Sequence, residues 1–248
     1  FIEIMNHIIV ILRGHERNCF KNDRLKNFVH LLNNSFENIQ FIVHTWNLNE
    51  ASKSWRQVQN EPSIIHKTDV QDYFDIQNIN ILIDDEISIE FKGRQFSKIG
   101  SIPIICWKRM WYGQYVAINA VEEKSNTHVL NMRIDFFETS TTNKFKFDEN
   151  LIINKLNLSL SKPNHITFMH DSAEYDGIDN LYISSYANVK RLIYHFNNNL
   201  DSITNKYKFL FFHENMVFYE ARLLEGVNLL PSSPIQYYCD IASNQLSL

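Results

Sequence analysis

The 248-residue sequence is poor in residues that break or staple a chain, with six glycines, five prolines and three cysteines. So few glycines and prolines leave no Pro/Gly-rich linker, and no internal repeat divides the chain. The expectation is therefore one domain over residues 1–248. Cys19, Cys106 and Cys239 are far apart and form no CxxC pattern, which suits reduced thiols in a cytoplasmic compartment. Long apolar runs are missing too, and nothing approaches the roughly 20 residues that span a bilayer. The stretch MNHIIVILRG is short and interrupted by Arg13, so it reads as a first strand and not as a signal peptide. A net charge of −4 without a long basic run speaks against a broad nucleic-acid surface.

The familiar catalytic fingerprints are absent as well. Neither GxGxxG nor GxxxxGK[ST] occurs, which argues against a standard dinucleotide enzyme and against a P-loop NTPase. There is no HExxH and no GxSxG elbow, which removes those metalloprotease and esterase classes. The ten histidines include no tight pair with a third ligand at an accepted spacing, so a structural zinc site is not expected.

What is present is an ordinary globular composition, 44% hydrophobic and 21% charged, on a chain long enough to bury a substantial core. HIIVIL at 7–12 is a continuous β-branched run, as in a strand buried on both faces. In DRLKNFVHLLNNSF, Leu25, Phe28, Val29, Leu32 and Phe36 recur at helical spacing, with Asn22 or Asp23 as a cap. IQFIVHTW at 39–46 is a second strand, and this β–α–β opening predicts a parallel pair with a right-handed crossover. SIIHKTDVQDYFDIQNINILID reads as short strand-like pieces and DDEISIEFKGRQFSKIGS as a loop-rich excursion. CWKRMWYGQYVAINAVEE reads as a helix and THVLNMRIDFF as the next strand. KFKFDENLIINKLNLSL and HITFMH suggest further strands, partly antiparallel. ANVKRLIYHFNNNL is an amphipathic helix, and HENMVFYEARLLEGVNLLP a helix stopped at Gly226 before a last short strand. The fold class is α/β, with a mainly parallel mixed central sheet flanked by helices.

Several short stretches carry chemistry. Ligands of open α/β sheets bind beyond the carboxyl ends of strands, and the first such end carries Arg13, Gly14, His15 and Arg17. Gly14 lets the backbone turn and approach a ligand, and the arginines supply forked donors for phosphate or carboxylate. Trp46, after the second strand, is placed to stack on a base or sugar ring, or to fill the core. In VLNMRIDFF, strand alternation puts Arg133 and Asp135 on one side, as an ion pair or facing a ligand. EYDGIDN sets Asp176 and Asp179 around Gly177, which is also a turn composition. HEN places His213 and Glu214 at a helix start, where a carboxylate suits the helix dipole. Asp84 and Asp85 end the apolar run in ILIDDE.

Taken in order, these stretches resemble a group of glycosyltransferases from bacterial and giant-virus surface-polysaccharide gene clusters. Those proteins look like compact, nucleotide-sugar-dependent GT-A enzymes. Their pattern is a first strand with a G-H-x-R or R-G-x-x-R loop, a Trp- or Tyr-rich helix and a strand ending in R-x-D. A D-N-x-x-x-[GS] segment and an E-N or E-Q helix start follow. The matches here are Arg13-Gly14-His15-Glu16-Arg17, KRMWYGQYVAINAV, Arg133-Ile134-Asp135, Asp179-Asn180 through Ser185, and His213-Glu214-Asn215.

The resemblance implies a GT-A-like, Rossmann-like domain that moves a sugar from a nucleotide-sugar donor to a hydroxyl of a glycan acceptor. Arg13, Gly14, His15, Arg17, Trp46, Arg109, Arg133 and Asn180 would bind the donor. Asp179, Glu214 and Asp135 would be the catalytic set, with Asp179 and Glu214 as base candidates. Many GT-A enzymes hold a divalent metal with DxD, and Arg133 stands in the first acidic position here. No tightly bound cofactor is expected, with Mg or Mn accompanying the donor if any metal does, held by Asp135 or by Asp84 and Asp85. Nucleic acid is not an expected partner, and membrane contact would be peripheral at most. The rival readings are a non-catalytic glycan-binding or assembly protein of the same fold, and another enzyme acting on phosphate-bearing substrates.

Overall fold

The computed structural model describes residues 6–52, 61–124, 126–138, 145–147, 149–168, 178–210, 213–224, 228–229 and 242–244. In chain order the elements are β1 (His7–Arg13), α1 (Arg24–Ser35), β2 (Ile39–Trp46), α2 (Lys67–Phe74) and β3 (Ile79–Asp84). The short strands β4 (Lys98–Ile99) and β5 (Ile102–Pro103) lead into α3 (Ile104–Asn119) and β6 (Thr127–Arg133). Then come β7 (Phe145–Phe147), α4 (Glu149–Ser161), β8 (His165–Phe168), β9 (Leu181–Ser185) and α5 (Tyr186–Lys206). The last described elements are α6 (Asn215–Leu223), β10 (Asn228–Leu229) and β11 (Ala242–Asn244).

The described strands build a seven-stranded sheet in the order β10-β8-β9-β6-β1-β2-β3. β1 pairs parallel with both β2 and β6, and β2 with β3. β9 runs antiparallel to both of its neighbours, and β10 is parallel to β8. The sheet is mixed and mainly parallel, with helices on both faces, as the sequence predicts. Strand alternation sorts the core: Ile8, Val10 and Leu12 pack with α1, α2 and α4, whereas Ile9 and Ile11 pack with α3, α5 and α6. Because each face of β1 meets a helical layer, its run has to be apolar throughout.

In α1, Leu25, Phe28, Val29 and Leu32 are buried against the sheet. Asp23 occupies the cap position, while the Asn22 side chain accepts the hydrogen bond from the Arg24 amide at 3.0 Å. Two stretches differ from expectation. Residues 67–74 are a helix: the Asp69 carboxylate accepts from the His66 amide at 2.7 Å, and Val70 and Phe74 are buried one turn apart. In KFKFDENLIINKLNLSL only residues 145–147 are strand, and 149–161 form α4. There Ile152, Leu156 and Ser159 are buried at i, i+4 and i+7, a 3.6-residue period that outweighs the alternation. Gly226, the expected helix stop, lies outside the described residues, as do Asp176 and Gly177.

His128 links α4 to the sheet. Its Nδ1 is 3.0 Å from Ser159 Oγ, and burial pushes its pKa down to about 4. The native protein therefore binds fewer protons than the unfolded chain between the ordinary histidine value and about 4. Stability should be complete at neutral pH and fall through that window as pH drops, by about 3 kcal/mol at its acid end. Urea unfolding from pH 7 to 4 should show the loss in the wild type and a shallower acid limb in His128→Gln. Equal limbs would refute the assignment.

Candidate functional site

Register assembles the site. Arg13, the last residue of β1, is the partner of both His44 on β2 and Arg133 at the end of β6. Trp46 at the end of β2 is the partner of Asp84 at the end of β3. Parallel strands thus bring these ends to one edge of the sheet, where α/β proteins bind ligands. β9 is antiparallel to β6 and starts where β6 finishes, so the turn at residues 178–180 comes to the same edge. Helix α3 forms the wall, and Cys106, Trp107, Arg109, Met110 and Gly113 line a cleft over the strand ends. Gly113 is there because a methyl at its position would lie 2.6 Å from His44 Nδ1. Gly14, at φ 111°, makes the left-handed turn after β1 that brings His15 and Arg17 round to the cleft.

Arg13, Gly14, His15, Arg17, Trp46, Arg109, Arg133, Asp135, Asp179 and Glu214 all line this one cleft. Asn180 lies beside it, its side-chain oxygen accepting from Arg133 Nη1 at 3.1 Å. The cavity, about 110 Å³, is below the roughly 300–1,000 Å³ of sites that enclose a whole small ligand. It can take a phosphate- or sugar-sized group while the rest of a larger ligand lies in the open mouth.

Arg133 and Asp135 form a two-pronged ion pair, Nε to Oδ1 and Nη2 to Oδ2, both 2.8 Å. The strand stops at Arg133, however, and Asp135 sits in the following turn, so the pair is made by the turn and not by strand alternation. Arg17 Nη1 donates to the same Asp135 Oδ2 at 2.9 Å. With 2% exposure and both oxygens held by guanidinium groups, Asp135 orients two arginines at the cleft. Burial alone would lower the Arg133 pKa, and the Asp135 carboxylate reverses this and holds it above the ordinary value.

Arg13 is also committed to the scaffold. Its Nε donates to the Asn131 side chain at 2.9 Å and its Nη2 donates to the Asp179 backbone carbonyl. Burial lowers its pKa, with Asp179 opposing. Asp179 itself is 3% exposed, and its Oδ1 is buried without a hydrogen-bond partner among the described residues. A buried acceptor left unmade costs about 1–3 kcal/mol, so a donor from water or from a ligand would stabilise it.

Trp46 does not offer a stacking platform. It is 1% exposed, with its ring near-parallel to those of His15 and Tyr112 at 6.0 and 5.9 Å between centroids. The rival acidic pair has separate partners. Asp84 accepts from His44 Nε2 at 3.1 Å, which with a Tyr112 hydrogen bond lowers its pKa. Asp85 caps a surface turn, accepting from the Ile87 amide and the Asn47 side chain at 3.1 and 2.9 Å. Among the described residues no three His, Cys, Asp or Glu side chains form a metal-sized group. The donor set at R-x-D does not fit a divalent cation, since two cations already enclose its carboxylate.

Two participants are not apparent from the sequence. His44 lines the cleft, and the signal for it is a histidine inside the apolar run of β2. Glu86 is buried at 1% exposure beside Asp84 and Asp85, and in a run of three acidic residues nothing marks the third as the buried one.

No family model matches the chain, and no curated protein matches it. Among solved structures, the chain is similar to galactosyltransferase LgtC in complex with donor and acceptor sugar analogs. That similarity has 12% identity and a TM-score of 0.40, over 90% of this chain and 72% of that one. An active-site mutant of LgtC is similar at 11% identity and a TM-score of 0.41, over 96% and 84%.

Asp135→Asn should lower stability by about 3–5 kcal/mol, because it strands two partly buried guanidinium groups. Chemical denaturation measures this, and an unchanged midpoint would show that the pair is dispensable to the fold.

Proposed function

We propose that the chain is a glycosyltransferase that moves a sugar from a nucleotide-sugar donor to a hydroxyl of a glycan acceptor. The observation that carries this reading is the partnerless Oδ1 of Asp179 in a cleft shared with Arg17, Arg109 and Arg133. A nucleotide sugar presents both halves of the required complement. Its diphosphate oxygens accept from guanidinium forks, and hydroxyls donate to the orphaned carboxylate oxygen. The order of the motifs, which resembles that of surface-polysaccharide glycosyltransferases, is the ground for a glycan acceptor.

The chemistry asks for two things. When the bond from the anomeric carbon to the diphosphate breaks, negative charge develops on the leaving oxygen, and fixed cations stabilise it. Arg17 and Arg133, held by Asp135, and Arg109 supply that charge without a metal ion. Attack by an acceptor hydroxyl also needs a base. Asp179 is the base in this reading, with Glu214 another carboxylate of the same cleft. No described helix is long and apolar enough to cross a membrane.

Incubation with a panel of nucleotide sugars should release nucleoside diphosphate for one donor, and release should persist in excess EDTA. Asp179→Asn should cut turnover by about 10²–10⁴-fold, the usual contribution of a positioned base, with the melting temperature nearly kept. Glu214→Gln should cost less. Release abolished by EDTA would overturn the metal-free charge assignment, and no release from any donor would overturn the transferase reading.

A further inference from the structure

Glu86 follows β3 and is not part of the cleft lining, yet two lining residues depend on it. Its Oε2 is 3.1 Å from His15 Nε2, and its Oε1 pairs with Arg109 Nη1. The Ser52 amide and hydroxyl donate to the same carboxylate at 3.0 and 2.8 Å. A second tie runs from Arg109 Nη2 to the Glu86 carbonyl at 3.3 Å. Such a carboxylate, surrounded by donors, can only accept. His15 must therefore carry a proton on Nε2, and in the uncharged ring its other nitrogen, Nδ1, is an acceptor. Burial lowers the His15 pKa, with Glu86 opposing it and Arg17 and Arg109 adding to the lowering, which favours the uncharged ring.

We propose that Glu86 is the positioning residue of the cleft: it fixes Arg109 as a phosphate donor and sets His15 with a bare Nδ1 that accepts from a hydroxyl of the same ligand. The inference rests on the nucleotide-sugar reading for the ligand, though not for the arrangement of the three side chains. It adds a recognition rule. A ligand of this cleft must present phosphate oxygens and, within reach of His15, a hydroxyl hydrogen. Inorganic diphosphate has phosphate oxygens but no sugar hydroxyl, and a nucleoside diphosphate has both. Glu86 acts through the other two residues and touches no reacting atom.

The test has two arms. Nitrogen-15 NMR of the wild-type protein should show His15 as the Nε2–H tautomer near pH 7. Detection of the Nδ1–H tautomer, or of the imidazolium, overturns the proposal whether or not any nucleotide binds. In the second arm, calorimetry compares nucleoside diphosphates with inorganic diphosphate. Glu86→Gln should weaken nucleoside diphosphate binding about tenfold or more, the loss expected for a misplaced charged hydrogen bond. In a His15→Asn, Arg109→Gln background the same change should cost nothing further, because the residues it acts through are gone. Undiminished binding by folded Glu86→Gln overturns the inference and leaves the nucleotide reading standing. If the wild type binds no nucleoside diphosphate, the nucleotide reading falls and the tautomer alone decides the role of Glu86.

Discussion

Two arginines end adjacent parallel strands as direct register partners, Arg13 on β1 and Arg133 on β6. Like charges this close, taken out of water, are tolerated only when carboxylates and carbonyls are brought to them. The structure brings Asp135 by turning the chain after β6, and the Asp179 carbonyl by starting β9 at the same edge. The geometry of the cleft follows from that neutralisation. Arg17 is drawn in by Asp135, Asn180 by Arg133, and Asp179 keeps one oxygen without a hydrogen-bond partner among the described residues.

A second charged group, centred on Glu86, stands next to the first. Asp135 holds Arg133 and Arg17, whereas Glu86 holds Arg109 and His15. Each carboxylate is buried and accepts from several donors. Asp135, Asp179 and Glu214 all line the cleft, and Asp135 is the one with both oxygens held by guanidinium groups.

Much of this was legible because local pattern and global fold agree. The β-branched run of β1 and the helical spacing in α1 are strong periodic signals, and they give a parallel pair with an intervening helix. The stretches that misled are those where period is weak. In KFKFDENLIINKLNLSL apolar residues are dense enough to fit either period, and only packing against the sheet selects Ile152 and Leu156. Convergence of Arg13, Arg17 and Arg133 could be guessed because Arg13 and Arg133 each end a strand and Arg17 lies in the loop just after Arg13. Their partners could not, since pairing depends on side-chain paths that sequence does not encode locally. Trp46 shows the limit plainly: an aromatic at a strand end is equally suited to rim or core, and the rings of His15 and Tyr112 beside it put it in the core. Glu86 was hidden among neighbouring acids, because burial of one acid in three has no local signature.

Gly113 brings α3 down onto His44 at a level where any side chain would collide. A glycine inside a helix costs about 0.5–1 kcal/mol relative to alanine, and what it gains here is interlayer distance. Arg109 lies one turn earlier on the same helix, and it reaches Glu86 from a backbone whose height above the sheet residue 113 sets. The depth of the cleft is therefore metered by a missing methyl group. A side chain that would never touch a ligand, if added at this position, would lift one wall and pull a cation away from its seat.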